Sequence, residues 1–205
     1  MAQGALERGR IWAAVDYADR FFMRQSPVHH ALAAIARTLD QLGVPYAIAG
    51  AMALNEYGYE RVTKDVDVLV TRDGLAKLKA EVLGRGYVEK FPGSKGLRDT
   101  EHNVAIDFLL AGEYPGDGQP KPVQFPDPRT VAVKRSGIAF LPLPRLVEFK
   151  LASGMSASHR VKDLGDVQEL IKHASLPRDL GDELDPYVRA KYFELWDGAQ
   201  VRDPE

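Results

Sequence analysis

Apolar positions along this chain follow helical spacing, then short strand-like runs, and finally helical spacing alone. Residues 11–22 and 27–42 read as helices. For the second, Ser26-Pro27 supplies a cap and a proline at the first helical position, and Gly43 a stop. Residues 45–49 form a short apolar run, the mark of a buried strand. Helical spacing returns over 50–57 through Ala51, Met52, Leu54 and Tyr57. A strand is predicted at 66–71 and a helix from Asp73-Gly74 to about residue 83, closed by Gly84 and Gly86.

A further strand is expected at 87–91, a polar, turn-rich segment at 93–100, and a strand at 103–110 with Asp107 inside it. Residues 111–122 carry three glycines and three prolines and read as a loop. Short strands at 130–134 and 137–141 would pair about Ser136-Gly137. From Pro144 the pattern is helical only, at 144–153, 160–174 and 185–197, with a tail after Gly198 expected to fray. The predicted fold class is α+β, a mixed α/β core over 1–142 with a helical region over 143–205.

Composition narrows the class. The chain has 205 residues, 45% hydrophobic and 27% charged, as in an ordinary soluble globular protein built as a single domain or as two small units. It contains no cysteine. Disulfides, thiol catalysis, zinc ribbons and iron–sulfur clusters are thereby excluded, which fits a cytoplasmic location. Residues 1–10 lack a signal-peptide pattern, Asp16, Asp19 and Arg20 break 11–22, and no run is long enough to span a bilayer, so no membrane partner is expected. A net charge of −2 argues against an overall basic nucleic-acid footprint.

The candidate chemistry lies in Asp65-Val66-Asp67. On a strand, alternate residues share a face, so the two carboxylates project together and repel unless a cation sits between them. A divalent metal with hard oxygen ligands is the cheapest partner, and Asp107 on a neighbouring strand would complete the site. An Asp-x-Asp pair taken alone is more often the solvent face of an edge strand. An EF-hand does not fit, because its fifth and sixth loop positions would be Leu69 and Val70.

Gly50 joins an apolar strand to a helix, where backbone N–H groups can approach a phosphate. P-loop and dinucleotide-binding glycine patterns are absent. Arg61 has the chemistry for a carboxylate or phosphate, and Thr63 for a hydrogen bond to a neighbouring strand. Lys150, between Phe149 and Leu151, either snorkels from its helix or contacts triphosphate oxygens. Lys162 and Asp166 have the i,i+4 spacing of a structural pair. His29, His30 and His159 lack metal-ligand spacing, and no Gly-x-Ser-x-Gly elbow supports a hydrolase triad.

Four ordered blocks carry a resemblance: Ala49-Gly50-Ala51; Arg61-x-Thr63-x-Asp65-x-Asp67; Ile106-Asp107-Phe-Leu; and Leu143-Pro-Arg-Leu-Val-Glu-Phe-Lys150-Leu-Ala followed by Arg160-x-Lys-Asp163-x-x-Asp166-Val. Over residues 43–174 the chain resembles the nucleotidyltransferase superfamily with a DNA polymerase β-like fold, most closely its branch of AbiEii-type toxins and stand-alone nucleotidyltransferases. The resemblance implies a nucleotidyltransferase-like mixed sheet with flanking helices. It implies Asp65, Asp67 and Asp107 as Mg²⁺ ligands, one or two ions, with Asp107 as ligand or general base. Gly50 and Ala51 would form the phosphate-facing turn. Lys150 would contact the nucleotide, with Arg61, Thr63 and Asp166 beside it. The family's turn is usually Gly-Gly or Gly-Ser; here Ala51 keeps the N–H but adds a methyl group.

The implied activity is transfer of a nucleoside monophosphate from a nucleoside triphosphate to an acceptor hydroxyl on RNA such as tRNA, a protein or a small molecule. A toxin-like enzyme would bring an antitoxin as partner. A tRNA acceptor would need a positive surface, with Lys134, Arg135, Arg160 and Lys162 as contributors. A small polyol amine would suit acids near the cleft, such as Glu56, Glu60 and Glu101. The alternative is a decayed fold that binds nucleotide or a partner without catalysis, for which Gly50-Ala51 is the only support. A purely structural domain would pair each of the three aspartates with a base.

Overall fold

A seven-stranded mixed sheet organises the structure, a computed structural model that describes residues 2–201, with side chains from Trp12 onward. Its strands are β1 (Tyr46–Ala49), β2 (Asp65–Val70), β3 (Tyr87–Glu89), β4 (Leu97–Asp99), β5 (Val104–Leu110), β6 (Val133–Arg135) and β7 (Ile138–Phe140). They lie in the order β3-β4-β5-β2-β1-β7-β6. β2 runs antiparallel to β1 and parallel to β5, and β1 is parallel to β7. The remaining pairs, β3–β4, β4–β5 and β6–β7, are antiparallel.

Around the sheet lie α1 (Ala2–Phe22), α2 (Pro27–Gln41), α3 (Gly50–Glu56), α4 (Arg72–Val82) and α5 (Pro128–Val131). The C-terminal helices are α6 (Leu143–Ser156), α7 (Val161–His173), α8 (Leu180–Glu183) and α9 (Pro186–Ala199), with a 3₁₀ turn at Ser158–Arg160. This is the α+β class expected. None of the described helices is long and apolar enough to cross a membrane.

Local chemistry sets the helix ends. Pro27 sits in the first turn of α2, whose inner stripe buries Val28, Ala31, Leu32, Ile35, Ala36 and Leu39. The hydroxyl of Ser26 at the cap bonds His29 Nδ1 at 2.8 Å instead of a backbone N–H. Thr71 caps α4 by accepting from Gly74 N–H, and Asp185 caps α9 by accepting from Tyr187 N–H. α2 packs on β2, β5 and β7, while α6 packs on α3, α7 and α9. One connected cluster of buried side chains runs from Phe21 to Tyr192. A fully buried side chain such as Ile35 contributes about 1.5–3 kcal/mol.

Expectations on secondary structure need correction at several points: α1 starts at Ala2 instead of residue 11, and α8 lies between the helices expected at 160–174 and 185–197. β4 lies inside the segment read as turns, because Leu97 and Asp99 turn inward around an exposed Arg98 and the run is too short to show a period. α5 covers the start of the predicted strand at 130–134: Pro128 is preset for a first turn and Asp127 caps it. α9 continues to Ala199, so the helix outlasts Gly198; residues 202–205, the end of the tail expected to fray, lie outside the described residues.

The register places the acids. Ala49 stands opposite Asp67 across β1–β2, and Asp67 opposite Asp107 across β2–β5. Asp65, two residues back, shares their face. The row Ala49–Asp67–Asp107 therefore crosses three central strands, with the smallest side chain on the strand that leads directly into α3.

Candidate active site

Gly50 turns the chain from β1 into α3 at φ +59°. A Cβ there would lie 1.8 Å from Asp67 Oδ2 and 2.7 Å from its Cγ. Both the dihedral and the contact demand glycine. The carboxylate of Asp67 thus packs on bare backbone, half-buried on the cleft floor.

Asp65 and Thr63 are coupled, the Thr63 hydroxyl donating to Asp65 Oδ1. The Thr63 carbonyl in turn accepts from the Tyr17 hydroxyl of α1 at 2.7 Å. Asn55, on α3, clamps the next segment: its side-chain oxygen accepts from Arg61 N–H at 2.6 Å, and its amide donates to Arg61 O at 3.2 Å. The Arg61 guanidinium then reaches Asp166 Oδ2 on α7 at 2.7 Å.

Lys150 projects from α6 between two buried carboxylates, 2.7 Å from Asp163 Oδ1 and 2.7 Å from Asp166 Oδ2. Ser153 donates to Asp163 Oδ2 at 2.6 Å, and Arg160 reaches that oxygen at 2.8 Å. Asp166 pairs with Arg61 and Lys150 rather than with Lys162, because it faces inward while Lys162 is exposed. Burial pushes the Asp163 carboxyl up, but Lys150, Ser153 and Arg160 outweigh it and hold the group below the usual range.

Asp67 behaves oppositely. Burial first, then the charges of Asp65 and Asp107, push its carboxyl up to about 6, against the pull of Lys150 and Arg160. Three carboxylates on adjoining strand positions form an oxygen-only donor set, which is what a divalent cation fits. As they stand, no three His, Asp or Glu side chains among the described residues converge closely enough to hold an ion. Asp107 is turned to Lys90, whose Nζ lies 2.8 and 3.1 Å from its two oxygens.

Two cavities meet here. One, about 340 Å³, is lined by all of Ala51, Arg61, Thr63, Asp65, Asp67 and Asp107, and by Lys150 and Asp166 across from them. A larger one, about 690 Å³, shares Asp67, Lys150, Arg160 and Asp163 with it and is walled by Tyr114, Phe125 and Phe149. Gly50, too, lines this second cavity. Every residue of the expected site is thus brought to one cleft.

A search of solved structures found the same architecture in ANT(2'')-Ia, an aminoglycoside nucleotidyltransferase. Its complex with adenylyl-2''-tobramycin aligns with a TM-score of 0.50 at 12% identity, over 77% of this chain and 92% of that one. Its solution structure aligns with a TM-score of 0.53 at 15% identity, over 86% and 97%. The chain has a nucleotidyltransferase fold. No protein-family model and no curated protein matches it.

Within that fold, other candidates lie elsewhere. Glu56, Glu60 and Arg135 line a separate 190 Å³ groove near Phe21, while Lys134 is exposed on edge strand β6. Glu101 follows β4, its N–H held by Asp99. Of the proposed basic contributors, Arg160 and Lys162 reach the cleft. His159 lines it as well, whereas His29 packs on Phe21 and His30 stacks on His102. Sequence reasoning missed Lys90, Ser153 and the aromatic wall as parts of the site, and quoted Asp163 within a block without giving it a role. The i,i+3 repeat Arg160–Asp163–Asp166 was the available signal for one helix face.

Proposed function

We propose that this cleft transfers a nucleoside monophosphate from a nucleoside triphosphate to the hydroxyl of a small-molecule acceptor. The observation that carries the reading is the pairing of Asp67 with Asp107 over a glycine floor, facing the cationic wall of Lys150 and Arg160. Asp65, Asp67 and Asp107 would hold Mg²⁺, with room for a second ion, and the metal would neutralise charge on the phosphate oxygens. Lys150, Arg160 and Arg61 would neutralise the rest, and Asp166 would aim two of those cations by pairing with them. The turn at Gly50-Ala51 would let phosphate approach backbone, with Thr63 fixing Asp65 from the other side.

The acceptor oxygen would attack the α-phosphorus in line, its proton passing to Asp107 as the bond to pyrophosphate breaks. The aromatic wall of the larger cavity would take an apolar ring face. Lys134 and Arg135 lie remote from the cleft, so the positive surface a tRNA would need is incomplete there, which supports a small acceptor over tRNA. Adenylyl transfer is the first to try, since the ANT(2'')-Ia complex contains an adenylylated aminoglycoside. We also place the protein in the cytoplasm and divide it into a catalytic core over 1–142 and a helical region over 143–205.

The test is a titration of the four nucleoside triphosphates with Mg²⁺, followed by pyrophosphate release with acceptor panels, on wild type and Asp67→Asn. Binding and release in the wild type, with release lost in a folded variant, support transfer. Undiminished release by Asp67→Asn rejects these residues. Triphosphate binding without release for any acceptor would support the decayed-fold alternative, and labelling of tRNA would move the chain to the toxin-like branch with its antitoxin.

A further inference from the structure

Lys90 lies on the hairpin between β3 and β4, outside every sequence motif named above, yet it makes the closest cationic contact to the three strand aspartates. Its ammonium bridges both oxygens of Asp107 at 2.8 and 3.1 Å. The approach is built into the fold. The side chain crosses bare backbone at Gly96, where a Cβ would meet Lys90 Cδ at 2.6 Å, Asp107 Oδ1 at 2.8 Å and Ile106 O at 3.3 Å. Gly96 O also accepts from Lys90 N–H at 3.2 Å, so the two residues are held in register.

The balance of charge gives this contact its meaning. The smaller cavity is lined by the carboxylates of Asp65, Asp67, Asp107, Asp163 and Asp166, against Arg61, Lys150, Arg160 and Lys162. Lys90 brings the cations level with the acids. An ion entering alone would meet a balanced cleft and would have to compete for Asp107 with a bound ammonium. A polyphosphate changes both terms: it brings its own oxygen ligands for the metal and gives the displaced ammonium a new anion. Lys90 is about one-third exposed, long and unbranched, so its ammonium can swing from Asp107 to a new anion with the backbone unmoved.

We propose that Lys90 is a resident counter-ion of Asp107 that suppresses binding of free divalent metal and passes to the triphosphate when metal and nucleotide arrive together. The proposal rests on the metal-site reading above. It makes Lys90 a binding residue supplied by the sheet side of the cleft, opposite Lys150 and Arg160.

The probe is Mn²⁺ alone, titrated calorimetrically into the full chain without nucleotide. Lys90→Met and Lys90→Gln should each bind Mn²⁺ on the order of tenfold more tightly than wild type, while Lys90→Arg stays close to it. In an Asp107→Asn background, Lys90→Met should bring no gain. Adding a non-hydrolysable triphosphate analogue should tighten Mn²⁺ binding more in wild type than in Lys90→Met. Equal Mn²⁺ affinity in wild type and both uncharged variants, without nucleotide, overturns the Lys90 assignment alone. If neither wild type nor variant binds Mn²⁺ even with the analogue present, the metal-site reading falls, and the Lys90 proposal falls with it.

Discussion

Gly50 and Asp67 occupy adjoining space so tightly that a single methyl on the glycine would stand 1.8 Å from the Asp67 carboxylate oxygen. The turn and the acid are therefore one structural unit, although seventeen positions separate them in the sequence.

Gly50→Ala should fail on two grounds, a left-handed dihedral and a displaced Asp67. We expect it to cost about 1–3 kcal/mol from the backbone alone, and to lose metal-dependent triphosphate binding. Thermal unfolding by circular dichroism and nucleotide calorimetry check the two effects separately. A variant as stable as wild type would mean that the turn relaxes freely.

Asp67 and Asp163 should show opposite pH behaviour. Asp67 is raised from 3.8 to about 6 in the folded protein, so its charge destabilises the metal-free fold fully above about pH 6 and not at all below about pH 4. Asp67→Asn should therefore raise the melting temperature in chelator at pH 8, and that gain should vanish on acidification to pH 4. Asp163 is lowered, so it stabilises at neutral pH, and the contribution is lost as pH falls through its depressed pKa. Asp163→Asn should accordingly be harmful at pH 7 and progressively less so in acid. Melting curves from pH 8 to about pH 4 decide the first, and their extension to about pH 2 decides the second; parallel profiles for the two variants would contradict the assignment.

Lys150 carries structure as well as any contact with nucleotide. Its side chain is 14% exposed between Asp163 and Asp166, at 9% and 4%. Lys150→Met strands two buried carboxylates with only Arg160, Ser153 and Arg61 as partners, and should destabilise by roughly 3–5 kcal/mol. Adding Asp163→Asn should recover part of that loss. Urea unfolding of the single and double variants provides the measurement, and a full-strength fold in Lys150→Met alone would rule out the network role.

Gly116 is the tight point of the loop that roofs the larger cavity. Its φ is +78°, and a Cβ would fall 2.0 Å from Ser156 Oγ and 2.9 Å from the Ser153 backbone on α6. Gly116→Ala should detach this loop from α6, exposing the amide of Asp117, which now donates to Ser156 Oγ at 3.2 Å. Faster hydrogen exchange over 112–118, with the central strands unchanged, is the expected result. Unchanged exchange in that loop would show that the packing there is slack.

Much of the fold could be read from periodicity where an element is long or bounded by punctuation. α2 was legible because proline and glycine bracket a six-residue apolar stripe, and β5 because it is a seven-residue run that is apolar except at Asp107. β4 was not, since three residues contain no period and its burial is imposed by β5 beside it. In the site, Asp65, Asp67 and Asp107 stood out because a charge inside an apolar strand conflicts with its surroundings. Lys90 and Asp163 gave no such conflict: each lies in polar sequence, and only tertiary packing brings it to the acids. Asp107 was expected on a neighbouring strand, but the register that sets it directly opposite Asp67 was not legible, because register between elements forty residues apart depends on topology.

The acids of the cleft floor and the cations around it are held in different ways. Asp65, Asp67 and Asp107 stand on central strands whose backbones are locked by neighbours, whereas Lys90, Lys150 and Arg160 arrive at the ends of long side chains from a hairpin, a helix and a turn. At Lys90 and Arg160 the polarity of the cleft is thus set by rotamers, with the sheet left in place. Such a centre has a negative pole fixed in the sheet and a positive one carried on side chains, of which the partly exposed Lys90 and Arg160 are freer to turn than Lys150, held between two buried carboxylates.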